Sequence, residues 1–152
     1  VMSRSSLEPH LDGLRGELWL RGGKGEEARR LLKDVQRRIR AIPGPDAWVV
    51  ALFRLEAFAR AAREAGDWQL AAYTAEQMRD HDPAYGGTHY ALARVAEHGG
   101  DREAARKAYE AALAHWPQAD ADHSTAADAR ARLASLSALT TPAGGQRDLT
   151  RW

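Results

Sequence analysis

The chain has 152 residues, of which 44% are apolar and 28% charged, and its net charge is +1 with the histidines neutral. This near balance excludes a generally basic or acidic surface of the kind that attracts nucleic acid or anionic lipid. The absence of cysteine excludes disulfides, thiolate catalysis and thiolate metal sites. No apolar run approaches the ~18 residues of a membrane span, and no secretory signal is visible.

Abundant alanine and few β-branched residues predict an all-α chain, and its Ala- and Arg-rich composition is typical of high-GC bacteria. The first predicted helix has Leu11, Leu14 and Leu18 at helical spacing and ends at a glycine cluster. The second begins with acidic residues and ends with basic ones, as the helix dipole prefers. The predicted helices cover about residues 7–21, 26–41, 47–65, 68–80, 87–98, 101–115 and 125–139.

The end of the chain has its own signals. Thr125 and Asp128 have the spacing of a capping box and predict the start of the seventh helix. Residues 140–152 contain a proline followed by two glycines and are predicted to be irregular. The organised domain is therefore expected to cover residues 1–139.

Two stretches of the chain repeat with a period of 34 residues. This spacing separates Gly66 from Gly100 and Ala71 from Ala105. It also separates the prolines that follow, Pro83 and Pro117. A fixed period of this length is typical of helix–turn–helix units that bury their apolar faces only by stacking on neighbours.

These positions resemble the tetratricopeptide repeat, an antiparallel helix pair with small residues at the helix crossing, a Gly-Asp turn and a proline after the second helix. The last repeat matches at Ala93, Gly100, Asp101, Ala105, Tyr109, Ala112 and Pro117. The middle repeat matches at Ala59, Gly66, Asp67, Ala71, Met78 and Pro83. An earlier repeat matches at Gly16, Trp19, Gly23, Ala28, Leu32 and Val35, but it has Lys24 in its turn and lies 43 residues from the next repeat.

The resemblance implies a fold and its dimensions. We expect a right-handed α-solenoid of three repeats, at about residues 9–42, 52–85 and 86–119, closed by a capping helix at about 124–139. Ala59 should face Ala71, and Ala93 should face Ala105, where the two helices of a pair approach closely.

The same resemblance implies a function. In such arrays the first helices of successive repeats line a concave groove, and here they would present Phe53, Glu56, Arg60, Arg63, Tyr90, Arg94 and Glu97, with Gly13, Glu17 and Leu20 from the first repeat. We therefore expect a non-enzymatic protein–protein interaction module in which arginines bind the carboxylates of a peptide or partner domain. In the alternative interpretation these charges form a solvated helix face with local pairs such as Glu56–Arg60.

Two other features are candidate interaction sites. A basic strip of Arg29, Lys33, Arg37 and Arg40 shares one helix face and would suit an anionic partner, but an ordinary solvated basic face is the favoured interpretation. Without interleaved aromatic residues it does not predict nucleic-acid binding. Trp48 and Trp152 fit no repeat position and are further interface candidates.

Catalytic and metal-binding patterns are missing from the sequence. The six histidines form no HxxxH pair, and no nucleophile–base set can be assembled, so we expect no catalytic residues, no metal and no cofactor. Two alternatives to a free-standing module stay open: a C-terminal assembly or localisation domain of a larger protein, and a self-associating structural unit. A cytoplasmic and a periplasmic location are equally compatible with the sequence.

Overall fold

The computed structural model describes residues 4–117 and 123–138, and this part of the chain contains seven helices and no strand. The helices are α1 (Arg4–Arg21), α2 (Gly25–Arg40), α3 (Ala47–Glu64), α4 (Trp68–His81), α5 (Gly86–His98), α6 (Arg102–Ala114) and α7 (Ser124–Ala138). Neighbouring helices pack in pairs, α1 with α2, α3 with α4 and α5 with α6, and α7 packs on α6. The predicted all-α stack of helix pairs is thereby confirmed, while its right-handed sense stays a prediction. The predicted tail, 140–152, lies outside the described residues.

Each helix pair is joined by a glycine turn of the same geometry. Gly23, Gly66 and Gly100 have φ values of 79°, 73° and 80°, in the left-handed region that glycine adopts without steric cost. At all three turns the glycine N–H bonds to the carbonyl oxygen three residues earlier, and the next N–H bonds five residues back. This is the Schellman motif, which satisfies the last carbonyl groups of the first helix.

The aspartates that follow two of these glycines start the next helix. The side chain of Asp67 accepts a hydrogen bond from the N–H of Leu70 at 2.9 Å, and Asp101 does the same for Ala104 at 3.0 Å. These bonds satisfy free donors at the helix start. Lys24 makes no such side-chain bond in the first turn. The sequence period is therefore also a period of backbone geometry, and the earlier repeat shares it despite its longer spacing.

Small residues are buried where helices cross, as expected. Ala93 and Ala105 lie in one apolar cluster with Tyr109. In the other pair, Ala71 lies in a cluster with Ala62, whereas Ala59 lies in another with Ala75 and Met78. Both predicted alanines are buried, and their direct contact stays a prediction.

The repeats are connected through α2 and α4 by a buried polar contact. Gln36 Nε2 donates a hydrogen bond to Thr74 Oγ1 at 2.9 Å, and both residues are fully buried. The apolar residues around them, from α1 to α4, form the largest core cluster. Two further clusters continue the core through α3–α5 and α5–α7.

The first helix buries its glycines and exposes its row of leucines. Gly13, Gly16 and Leu20 face the protein, and a Cβ on Gly16 would lie 2.5 Å from Leu32 Cδ2. The leucines whose spacing predicts the helix lie on its opposite, exposed side. Periodicity therefore predicts α1 but not the side on which it packs. Within the described residues, no helix is both long and apolar enough to cross a membrane.

Candidate partner-binding cleft

Two adjoining clefts lie between α3, α5 and the start of α7. The larger, of about 350 Å³, is lined by Arg60, Arg63, Glu64, Tyr90, Arg94, Ser124, Thr125 and Asp128. The smaller, of about 100 Å³, adds Phe53, Glu56, Ala57, Ala59, Gly87 and Ala91, and shares Arg60, Arg63, Tyr90 and Thr125 with the first. We call the two together the arginine cleft. Six of the seven predicted groove residues line it, and Glu97 does not.

Arg60 is the most accessible cation of the arginine cleft. It makes no hydrogen bond or ion pair with any residue that the structure describes, so the local pair expected with Glu56 does not form. Glu56 instead accepts a hydrogen bond from the hydroxyl of Tyr85 at 2.9 Å. Burial and this carboxylate raise the pKa of Tyr85, which therefore stays neutral and donates to Glu56.

Arg63 lies deeper than Arg60 and also lacks a carboxylate partner among the described residues. Its guanidinium lies 5.4 Å from the ring centroid of Tyr90, in cation–π contact. Burial lowers the pKa of Arg63, and the positive charge of Arg94 lowers it further, against the opposing effects of Tyr90 and Glu56. The cleft therefore contains a partly desolvated positive charge that is not directly paired with a carboxylate of the described residues.

The other predicted groove residues of α5 hold α7 in place. Tyr90 donates its hydroxyl hydrogen to Asp128 Oδ2 at 2.6 Å, and Arg94 Nη1 donates to the Tyr90 oxygen at 3.0 Å. Glu97 accepts from the Tyr109 hydroxyl at 2.5 Å and from Arg132 at 3.1 Å. Arg94 and Glu97 thus make hydrogen bonds within the molecule. Helix α7 forms one wall of the arginine cleft.

Sequence reasoning missed this role of α7. The capping-box spacing of Thr125 and Asp128 predicted a helix start, but the N–H of Ala126 bonds to Nδ1 of His123 instead, at 3.1 Å. The side chain of Asp128 is directed elsewhere, and its Oδ2 accepts hydrogen bonds from Tyr90 and Arg132. The helix start was predicted correctly within a residue, but the capping group and the placement of Thr125 in the cleft were not.

An apolar surface adjoins the arginines. Phe53 is 57% exposed at the edge of the cleft, and Trp48, Val49 and Val50 are exposed earlier on α3. Trp48 stacks on the ring of His81 at 5.2 Å, which orients it while leaving 48% of it exposed. Trp152, the other predicted interface tryptophan, lies outside the described residues.

The first repeat contributes nothing to the arginine cleft. Of the three residues expected there, Gly13 and Leu20 are buried. The third, Glu17, is 3.5 Å from Arg54 Nη2 in an ion pair with α3. The side of α1 that was expected to line a groove therefore packs against α3.

The predicted basic strip on α2 is largely engaged with α4. Arg29 Nε donates to Asp67 Oδ2 at 3.0 Å, and Lys33 Nζ lies 4.8 Å from the ring centroid of Tyr73. Arg40 Nη1 donates to Gln77 Oε1 at 2.6 Å, while Arg37 pairs with Asp34 on its own helix. The strip connects the first and middle repeats instead of presenting four free cations.

Within residues 4–117 and 123–138, no group of three or more His, Asp or Glu side chains could hold a metal ion. No family model matches the chain, and searches of curated proteins and of solved structures also give no match. The described residues establish only the class of protein, which is an all-helical protein of stacked helix pairs. What the arginine cleft does must be inferred from its own residues.

Proposed function

We propose that the chain is a non-enzymatic protein–protein interaction module of the tetratricopeptide-repeat type, which binds an extended peptide with acidic side chains in the arginine cleft. The observation that carries this proposal is that Arg60 and Arg63 line one cleft without a carboxylate partner in the described part of the chain. Most other arginines of the described residues are ion-paired, and Arg60 and Arg63 are the two unpaired ones that line this cleft.

The charge of Arg63 favours an acidic ligand. A buried cation without a counter-charge is costly, and a carboxylate that binds it offsets this cost. The planar guanidinium of Arg60 is free to form two parallel hydrogen bonds with the same or a neighbouring carboxylate. Phe53 supplies an apolar contact beside them, so an acidic residue near a large apolar residue describes the expected ligand.

The lining residues support binding rather than catalysis. Ser124 and Thr125 are the aliphatic hydroxyl side chains of the cleft, and the hydroxyl of Tyr90 is bonded to Asp128. Against the effect of burial, the hydrogen bonds that Asp128 Oδ2 accepts from Tyr90 and Arg132 lower the pKa of this carboxyl and make it a weak base. Catalysis by a hydroxyl needs a base within hydrogen-bond reach, and among the described residues no hydrogen bond joins Ser124 or Thr125 to a carboxylate.

The proposal is tested by selecting ligands from a random dodecamer peptide library displayed on phage, with the purified 152-residue chain as bait. We expect the enriched peptides to carry Asp or Glu near an apolar residue. Their affinity, measured by fluorescence anisotropy on synthetic peptides, should fall about tenfold or more in Arg60→Glu, since a charge-assisted contact becomes repulsive.

Arg30→Glu is the matched control, because Arg30 is also exposed on a helix and makes no ion pair within the described residues. It changes the net charge equally and should leave peptide affinity unchanged. The proposal is rejected by the absence of enriched peptides, or by enriched peptides that bind Arg60→Glu as tightly as the unmodified chain.

A further inference from the structure

The outer face of α1 carries a row of four exposed leucines. Leu7, Leu11, Leu14 and Leu18 are 43%, 60%, 51% and 65% exposed. At 3.6 residues per turn they lie within about 60° of one another, on the side opposite the buried Gly13, Gly16 and Leu20. We call these four residues the leucine row.

The spacing of the leucine row suits a helical partner. Steps of four, three and four residues are those of the a and d positions of a heptad, whose side chains insert between those of a second helix. Single exposed leucines are common on protein surfaces, but a contiguous apolar row usually marks an interaction site. The row is also distinct from the arginine cleft, which α3, α5 and α7 form.

The charges beside the leucine row fit a second copy of the same helix. Glu8 and Arg15 are exposed and lie along the same flank of the row, about 20° apart around the helix. When two α1 helices run antiparallel with Leu11 of one against Leu14 of the other, these flanks meet. Glu8 of each copy then lies opposite Arg15 of the other, so the contact contains two favourable charge pairs.

A parallel arrangement lacks this complementarity. The facing flanks would then bring Arg15 of one copy beside His10 of the other, which offers no carboxylate. Glu17, which lies on the His10 flank, is already paired with Arg54 of its own chain. Glu8 makes no ion pair in the described part of the chain, and Arg15 pairs with Asp12 on its own helix. The charges therefore favour the antiparallel arrangement.

We propose that the leucine row is a homodimer interface, in which the α1 helices of two copies pack antiparallel, with Leu7 against Leu18 and Leu11 against Leu14. A seam of this size buries less than a standard protein interface, so the dimer dissociates on dilution. The two arginine clefts of the dimer bind peptide independently of this contact, and the interface does not depend on the proposed peptide-binding function.

Sedimentation velocity of the full chain over a wide concentration range tests this interface. We expect a reversible monomer–dimer equilibrium, which Leu11→Gln together with Leu14→Gln weakens about a hundredfold or more because the central apolar contact is lost. Glu8→Arg alone should weaken the dimer about tenfold, since it places Arg beside Arg15 twice. Combining it with Arg15→Glu restores opposite charges and should recover most of the lost affinity.

Val49→Gln is the matched control, because Val49 is also 43% exposed and lies on α3 outside the row. It should leave the dimer unchanged, and circular dichroism should show every variant to be helical, since none of the substituted side chains is buried. A chain that is monomeric at every concentration overturns the proposal. This is the result expected if another protein or residues 139–152 covered the leucine row. A dimer insensitive to the leucine substitutions, or a charge swap that restores nothing, overturns it equally.

Discussion

At the scale of single residues, the glycine turns show how backbone conformation and sequence are connected. Gly100 has a φ of 80° and nothing within 4 Å of the position of a Cβ, so its requirement for glycine comes from the backbone alone. Its neighbour Gly99 has a φ of −72°, and a Cβ there would meet only ordinary contacts at 3.5 Å. Both glycines are exposed, but only the backbone conformation of Gly100 requires glycine.

This difference gives a prediction. Gly100→Ala should lower the free energy of unfolding by about 1 kcal/mol, because a Cβ is strained in the left-handed region. Gly99→Ala should be neutral or stabilise the protein by a few tenths of a kcal/mol, because alanine restricts the unfolded chain. Urea unfolding of both variants measures this. If the two substitutions had equal effects, the left-handed glycine of the turn would not be the reason why glycine recurs every 34 residues.

At the scale of elements, α7 is attached by apolar packing and by polar contacts with α5. Ala126 and Ala129 are its fully buried residues, whereas Asp128 and Arg132 bond to Tyr90 and Glu97 of α5. Burial tends to raise the pKa of Asp128, but the hydrogen bonds from Tyr90 and Arg132 outweigh it and hold that pKa below its ordinary value. The ionised form of Asp128 is therefore the one that holds α7.

The attachment of α7 should consequently depend on pH. Since the pKa of Asp128 is lower in the folded state than in the unfolded one, its contribution is complete above about pH 5 and is lost as the pH falls through the folded-state pKa. Asp128→Asn should lower stability at pH 7 by about 1 kcal/mol, a value reduced by the partial exposure of the side chain. The difference from the unmodified chain should shrink below about pH 4.

Thermal unfolding midpoints at several pH values between 3 and 7 measure this difference. Asp80→Asn is a suitable control, because Asp80 is exposed and makes no ion pair within the described residues. It should change the midpoint little at every pH. A difference for Asp128→Asn that stays constant from pH 7 to pH 3 would show that the charge of Asp128 does not hold α7.

The elements also show what a sequence predicts well. Helix α4 was expected at 68–80 and is found at Trp68–His81, because Gly66 and Asp67 determine that turn by local chemistry. The contact of Tyr90 with Asp128 spans 38 residues, and no local pattern encodes it. For the same reason the leucine row was recognised as helical but not as exposed, since periodicity groups residues on a face without saying what covers that face.

At the scale of the whole molecule, the helices contact mainly their neighbours along the stack. The core is divided among clusters that cover α1–α4, α3–α5 and α5–α7, with no single centre. In such an arrangement stability is approximately a sum of local terms and interfaces between neighbours. Among the described helices, those in the middle contact neighbours on both sides, whereas α7 contacts neighbours on one.

We therefore expect protection from hydrogen exchange to vary along the chain. Amides of α4, which packs on both α3 and α5, should exchange slowest, and amides of α7 at least about tenfold faster, through local opening. Native-state exchange followed by mass spectrometry measures both. Identical opening free energies for α4 and α7 would instead show that the molecule unfolds as one cooperative unit.

The buried hydrogen bond between Gln36 and Thr74 affects how the first two helix pairs are aligned. A purely apolar contact between two helices allows them to slide, because the hydrophobic effect has no preferred direction. A buried hydrogen bond between an amide and a hydroxyl restricts the alignment of the two helices. Any alignment that breaks it costs about 1–3 kcal/mol, because a buried donor is left without an acceptor. The alignment of α2 with α4 is thus favoured by one polar contact between two buried side chains, and replacing both with apolar residues should widen the range of alignments that the first two helix pairs adopt.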